Sequence, residues 1–233
     1  MSLMEVILLK IYVLGDVHGE WGELNKLINT KHPDIILQCG DFGFWPHMFD
    51  ITIKNYNTKI YWLPGNHENW DILLHDWDHT LLKNREILPN IYYMRRNDIL
   101  ELNGKNILFF GGGDSIDKMY RRLSIGPWDE HASYWTQEIP TERDLDSLPM
   151  INVDMVLSHT CPQYFKLKTD RYDKIHDPTR KMLDIVYDRY QPRNWYFAHW
   201  HTYISGVYKD CNYVGLNREG TNLWYRDISH IFR

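Results

Sequence analysis

The chain has 233 residues, of which 43% are hydrophobic and 24% are charged. This length and composition predict one globular domain with a sizeable core, and they exclude a largely disordered chain. The net charge of −5 disfavours a partner such as duplex nucleic acid, which requires a basic surface, although a local basic patch stays open. No apolar stretch in the sequence is long enough to cross a bilayer, so we expect no membrane partner.

Cysteine usage predicts a cytoplasmic protein. The chain has three cysteines, an odd number without a close pair, and this excludes a disulfide framework. The first residues lack the basic start and long apolar core of a signal peptide.

An aromatic content of 15% indicates a core rich in Trp and Tyr, with a surface that stacks on rings as the alternative. The sequence gives no prediction of the oligomeric state.

Short apolar segments alternate with helical patterns along the chain. Strands are predicted at residues 6–14, 34–39, 59–63, 153–158 and 194–198. Helices are predicted at residues 20–29, 69–82, 141–148 and 178–190. This alternation is typical of sheet strands covered by helices.

Two further segments predict hairpins. Residues 91–110 read as IYYMRRNDILEL and KNILFF on the two sides of a tight turn at Asn103-Gly104, and residues 202–217 resemble a second hairpin. Between them, residues 114–142 hold many aromatics and no clean period. We therefore expect a long substrate loop or a small cap at 114–142, within a single domain that spans residues 1–233.

Several predicted strands end directly in side chains of the types that bind metal ions. The segments are GDVHG (15–19), GD (40–41), GNHE (65–68), Ser158-His159 and HWH (199–201). The carboxyl ends of strands form the ligand crevice of open α/β sheets, so these distant segments can meet at one place. Carboxylate, amide and imidazole ligands suit Mn, Fe or Zn. Two such divalent transition-metal ions about 3.5–4 Å apart can clamp a phosphate and activate a water molecule.

In this order, and over residues 15–201, the motifs resemble those of the calcineurin-like metallophosphoesterase superfamily. The resemblance implies an α/β fold, a four-layer αββα β-sandwich flanked by helices. It also implies a dinuclear-metal phosphoesterase that hydrolyses phosphate esters with a metal-bridging hydroxide as the nucleophile. Manganese is one of the metals expected in such a centre, with iron and zinc as alternatives.

The resemblance further implies a role for each matching position. The metal ligands would be Asp16, His18 and His201 for one ion, Asn66, His159 and His199 for the other, and Asp41 as the bridge between them. His67 would lie over the substrate and donate a proton or a hydrogen bond to the leaving oxygen. Asp41 and His67 would therefore be the catalytic residues.

One motif departs from the protein phosphatases of this superfamily, which carry GDxxDRG after the second strand. Here residues 40–45 are GDFGFW, so the arginine that grips phosphate is missing there. Arg121 and Arg122 are candidate replacements because a guanidinium binds phosphate in a bidentate way, and the alternative to this favoured interpretation is an ordinary solvated basic pair. His47 is a third candidate substrate contact.

We therefore expect a phosphate-ester substrate, with a phosphodiester or nucleotide-like ester favoured. The alternatives are a protein phosphatase, a nuclease of the same superfamily, and a non-catalytic interaction scaffold that binds metal. The missing arginine disfavours the phosphatase, and the acidic net charge disfavours a nuclease that acts on duplexes. A complete ligand set disfavours the scaffold.

Overall fold

A computed structural model describes residues 9–44, 57–74, 86–123, 134–167 and 176–233. Its strands are β1 (Ile11–Leu14), β2 (Ile35–Gln38), β3 (Lys59–Trp62), β4 (Glu86–Leu88), β5 (Ile91–Tyr93), β6 (Asp98–Leu102), β7 (Lys105–Phe110), β8 (Met155–Ser158), β9 (Asn194–Phe197), β10 (Ile204–Tyr208), β11 (Cys211–Gly215) and β12 (Tyr225–Asp227). Its helices are α1 (Trp21–Lys31), α2 (Trp70–Ile72), α3 (Lys118–Leu123), α4 (Glu142–Asp146) and α5 (Pro178–Tyr190), with short 3-10 helices at Thr136–Glu138 and Ser229–Phe232.

Within the described residues the strands form two six-stranded sheets. The first has the order β12-β1-β2-β3-β5-β4, and the second has the order β10-β11-β9-β8-β7-β6. In each sheet the four central strands run parallel and the two edge strands are antiparallel to their neighbours. The carboxyl ends of β1, β2 and β3 therefore share one edge of the first sheet, and those of β8 and β9 share one edge of the second.

The two sheets pack face to face, and helices cover their outer faces. The core between the sheets contains side chains of both, among them Val13, Leu37, Phe109 and Leu157. On the outer face of the first sheet, α1 contributes Leu24, Leu27 and Ile28. On that of the second, α5 contributes Leu183, Val186 and Tyr187. The four-layer αββα arrangement implied by the motifs is confirmed.

Helix α5 illustrates how local sequence sets an element's bounds. Asp177 accepts a hydrogen bond from the backbone N–H of Thr179 at 2.8 Å, and Pro178 occupies the first turn, where no intrahelical donor is needed. The last helical residue is Tyr190, and the residue after it, Gln191, has a φ of 43°. Its observed bounds are those predicted from the sequence.

The prediction that residues 91–110 form one hairpin is wrong in its first half. Residues 91–93 pair in parallel with β3 in the first sheet, and only β6 and β7 form the hairpin around Asn103-Gly104. Between them the chain crosses to the second sheet through a turn, in which the Arg95 N–H donates to Asp98 Oδ2 at 2.7 Å and Asn97 has a φ of 71°. Residues 95–98 (RRND) form a short polar run between two apolar segments, and this run marks the crossing between sheets rather than the interior of one strand.

Other predictions have mixed outcomes. The hairpin at 202–217 and the short helix near 141–148 are both present. Strand β12 was not predicted, because its three residues are mostly exposed and carry no apolar alternation. The predicted helix 69–82 begins at Trp70, and its later part lies outside the described residues. The single domain and the cap at 114–142 stay predictions.

None of the described helices has the length and apolar composition needed to span a membrane.

Candidate metal centre

All seven predicted metal ligands lie close together, just past the carboxyl ends of strands from both sheets. Those of the first sheet follow β1, β2 and β3, and those of the second follow β8 and β9. They are Asp16, His18, Asp41, Asn66, His159, His199 and His201. The structure thus brings together side chains that are up to 185 positions apart (201 − 16).

Three of these residues form a compact, buried group, called the inner half below: Asn66, His159 and His199. The Asn66 Oδ1 atom lies 2.8 Å from His159 Nε2 and 2.9 Å from His199 Nδ1. The two imidazole nitrogens are 3.1 Å apart. All three side chains are buried, and their possible ligand atoms face a common point.

Three others form a more open group, called the outer half: Asp16, His18 and His201. The His201 Nε2 atom lies 3.3 Å from Asp16 Oδ2, and the rings of His18 and His201 meet edge to face with centroids 5.1 Å apart. One possible ligand atom from each of the three residues lies within 4.8 Å of the others. Asp16 is fully buried, whereas the His201 side chain is 43% exposed.

Asp41 lies between the two halves, with one carboxylate oxygen toward each. Its Oδ1 is 3.3 Å from His159 Nε2, and its Oδ2 is 3.4 Å from His18 Nε2. The backbone N–H groups of Asn66 and His67 both donate to Oδ1 at 2.8 Å, which fixes the orientation of the carboxylate. Burial alone would raise the pKa of Asp41, but His159 and His67 hold it well below its usual range.

The backbone at four of the ligands has an uncommon conformation. His18, Asp41, His199 and His201 have φ values of 47°, 52°, 70° and 46°, in the left-handed region that side chains other than glycine rarely adopt. Such residues cluster at functional sites, where the surrounding structure holds them in place.

The GNHE segment (65–68) approaches Asp41 closely, and its first residue must be glycine. A Cβ atom at Gly65 would lie 2.1 Å from Asp41 Oδ1. Glu68 holds the segment in place, because its carboxylate accepts the N–H of Gly65 at 2.5 Å and that of Gly43 at 3.1 Å. Burial raises the pKa of Glu68 to about 8. Glu68 thus joins the loops that carry Asp41 and Asn66.

The donor set fits a divalent transition metal. Asp16 Oδ2 is buried and has no hydrogen-bond partner among the described residues, and burial raises the pKa of Asp16 to about 7. A buried carboxylate is costly unless a cation or a donor compensates it. Mixed carboxylate, amide and imidazole ligands suit Mn, Fe or Zn and leave positions open for other molecules.

A cleft of about 210 Å³ opens next to this centre. Asp41, His67, His199 and His201 line it, together with Arg121. The His67 Nε2 atom is 4.0 Å from Asp41 Oδ2. Burial lowers the pKa of His67 to about 3, an effect that Asp41 opposes and the Arg121 charge reinforces. A neutral His67 can donate a hydrogen bond across the cleft.

Arg121 reaches the cleft from α3. It is buried, and its Nη2 contacts the His67 ring. Its Nη1 donates to the backbone oxygen of Asn66 at 3.1 Å, and its Nε lies 2.8 Å from Asp117 Oδ1. The Arg122 side chain and the whole of His47 lie outside the described residues, so both stay predictions from the sequence.

Sequence reasoning missed three supporting residues. The Asn66 amide donates through Nδ2 to Ser115 Oγ at 3.2 Å, which turns Oδ1 toward the histidines. The Ser115 N–H donates in turn to the buried Glu138 at 3.2 Å. Glu219 contacts His18 at 3.0 Å. None of the three stands in a recognisable motif, and each comes from a segment whose position depends on the tertiary fold.

The profile of the calcineurin-like phosphoesterase family matches residues 9–203. Among solved structures, phosphopantetheinyl hydrolase from Mycobacterium tuberculosis is 13% identical with a TM-score of 0.50, over 94% of this chain and 95% of that one. An archaeal phosphodiesterase is 11% identical with a TM-score of 0.46, over 94% and 98% of the two chains. A search of curated protein sequences gives no match.

Proposed function

This chain belongs to the calcineurin-like phosphoesterase family and is a metal-dependent hydrolase of phosphate esters, and from this premise we propose that it uses a pair of metal ions to hydrolyse a phosphodiester or a nucleotide-like ester. Asp16, His18 and His201 would hold one ion, and the inner half would hold the other. Asp41 would be shared between them.

The observation that carries the proposal is the position of the Asp41 carboxylate. Its two oxygens face different groups of ligands, Oδ1 at 3.3 Å from His159 and Oδ2 at 3.4 Å from His18. A carboxylate oriented in this way suits a bridge better than it suits a single ion. When bound, two such ions would offset the charge of the phosphoryl oxygens and lower the pKa of a water molecule to about 7.

The protein's own groups would position the ester. Arg121 would donate to the phosphoryl oxygens, since a guanidinium matches their geometry and this one is held by Asp117 and the Asn66 carbonyl. Its buried place beside His67 favours this role over that of a solvated surface residue. His67 would donate a hydrogen bond to the leaving oxygen.

The family's activities leave the class of ester open, and two features favour a small diester. Residues 40–45 lack the arginine of the protein phosphatases, and the net charge of −5 disfavours a duplex nuclease. We also propose a cytoplasmic location, which agrees with three buried cysteines that form no disulfide.

A kinetic comparison of variants tests the proposed centre. Bis-p-nitrophenyl phosphate and p-nitrophenyl phosphate would be assayed with added Mn²⁺, for the wild type, Asp41→Asn and His199→Ala. We expect both substitutions to lower kcat at least about a thousandfold, because each metal contributes several kcal/mol to the transition state. Chelation should abolish the wild-type activity.

Exposed residues of the same types provide matched controls. Asp210→Asn and His230→Ala change side chains at the surface, away from the cleft, and should retain wild-type rates. Full activity of Asp41→Asn, of His199→Ala or of the chelated protein would refute the proposed centre. Tight binding of metal without hydrolysis of any ester would favour the non-catalytic scaffold.

A further inference from the structure

A segment near the C-terminus, residues 217–224, folds against the first metal-ligand motif although it lies beyond the family match, which ends at residue 203. The Gly15 N–H donates to the Trp224 carbonyl at 2.8 Å, and the Glu219 N–H donates to the Asp16 carbonyl at 2.9 Å. A Cβ atom at Gly15 would lie 2.1 Å from the Asn217 carbonyl oxygen. The segment and the motif therefore hold each other in a defined position.

The side chain of Glu219 continues this contact into the outer half. Its Oε2 lies 3.0 Å from His18 Nδ1, and both side chains are largely shielded, at 11% and 14% exposure. The other ring nitrogen, His18 Nε2, lies 3.4 Å from Asp41 Oδ2. Glu219 Oε1 is turned toward Arg218, at 3.8 Å from its Nη1. The two ring nitrogens of His18 thus face two different carboxylates, Glu219 at Nδ1 and Asp41 at Nε2.

A histidine that binds a metal through one nitrogen usually donates the N–H of the other to a carboxylate or a carbonyl. This partner fixes the tautomer and the ring orientation. His159 in the inner half has such a partner in the main chain, since its Nδ1 lies 2.9 Å from the Cys39 carbonyl oxygen. His18 has a side-chain carboxylate in the equivalent position.

We propose that Glu219 is the positioning residue of the outer half: it accepts the Nδ1–H of His18 and so keeps the Nε2 lone pair directed at the metal position. The proposal rests on the metal centre proposed above and extends it to a segment outside the family match. His18 has a left-handed backbone with a φ of 47°, and contacts from outside its own loop hold its ring. A carboxylate from 201 positions away supplies one.

Equilibrium dialysis against buffered Mn²⁺ or Zn²⁺ tests this role without relying on activity. The bound metal would be measured for the wild type, Glu219→Ala and Glu219→Gln, together with the melting temperature of each metal-free protein. Removing such a partner typically costs about 10–100-fold in metal affinity. We therefore expect Glu219→Ala to bind its weaker metal, the one in the outer half, with an affinity lower than that of the wild type by this factor. Glu219→Gln should bind more tightly than Glu219→Ala, because its carbonyl oxygen still accepts the Nδ1–H.

The control is Glu101→Ala, an exposed glutamate on the hairpin of the second sheet, which should bind metal as the wild type does. Wild-type affinity in Glu219→Ala would overturn the positioning role. So would equal losses of affinity in both Glu219 variants, matched by equal losses of metal-free melting temperature, because that result indicates loop packing alone. A wild-type protein that binds no metal would instead overturn the centre itself, and this role with it.

Discussion

The inner and outer halves of the centre present the same kinds of ligand in different surroundings. The inner half is buried, and its donor atoms lie 2.8–3.1 Å apart. The outer half ends at His201, whose side chain is 43% exposed, and it depends on Glu219 from a distant loop. The comparison indicates that the fold preorganises the inner half, whereas the outer half reaches solvent at His201.

The largest expected difference between the halves is in how the loss of one histidine can be compensated. His159→Ala should lower kcat about a thousandfold or more at any Mn²⁺ concentration, because the deletion leaves Asn66 and the Cys39 carbonyl without their buried partner. His201→Ala should regain much of its activity at high Mn²⁺, since water can reach the vacated position. Measuring kcat against Mn²⁺ concentration separates the two variants.

Equal recovery of both variants at high Mn²⁺ would show that the halves do not differ in this way. His230→Ala is a suitable control because its side chain is exposed and lies away from the cleft.

A smaller effect is expected at Arg121, which links the inner half to the substrate cleft through the Asn66 carbonyl. Charge-assisted hydrogen bonds are worth about 1.5–3 kcal/mol, so Arg121→Ala should raise KM for a phosphate ester roughly 10–100-fold. Steady-state kinetics would compare this variant with Arg193→Ala, which removes an exposed arginine. An unchanged KM and kcat for Arg121→Ala would remove Arg121 from the substrate site.

The smallest expected effect concerns Glu138, the carboxyl group behind the inner half. Burial raises the pKa of Glu138 to about 8, so the folded protein binds a proton there that the unfolded chain releases near pH 4. The free energy of unfolding therefore falls as the pH rises from about 4 to about 8. Glu138→Gln removes the ionisation and keeps an acceptor for the Ser115 N–H.

Thermal unfolding of the metal-free proteins between pH 5 and pH 8 measures this effect. The melting temperature of Glu138→Gln relative to the wild type should increase with pH, because the wild type loses stability and the variant does not, at roughly 2–4 °C per kcal/mol for a chain of this size. A difference that does not change with pH, or that matches Glu101→Gln, would contradict the assignment.

The sequence allowed correct predictions where an apolar strand pattern is followed directly by side chains that bind metal ions. The strands that carry the ligands are apolar and largely buried, and each ends at a short metal-ligand motif, so both the strands and these side chains could be predicted. The bounds of α5 followed from its Pro178 and its apolar spacing. The family profile confirms the resemblance that the motifs indicated.

The features that were missed depend on contacts between distant segments. Nothing near Glu219 in the sequence indicates that it reaches His18, because its position is set by pairing of β12 with β1 and by the loop before it. The chain crossing at Asn97 lies in a short polar run, residues 95–98, and this run does not show which sheet the chain joins next. Ser115 and Glu138 support Asn66 only because two separate loops meet beneath it.

The central claim is that two metal ions share Asp41, and anomalous diffraction from crystals loaded with Mn²⁺ or Zn²⁺ tests it most directly. The account predicts two anomalous peaks about 3.5–4 Å apart, one among Asp16, His18 and His201 and one in the inner half, with the Asp41 carboxylate between them. A single peak, or two peaks of which neither contacts Asp41, would contradict it.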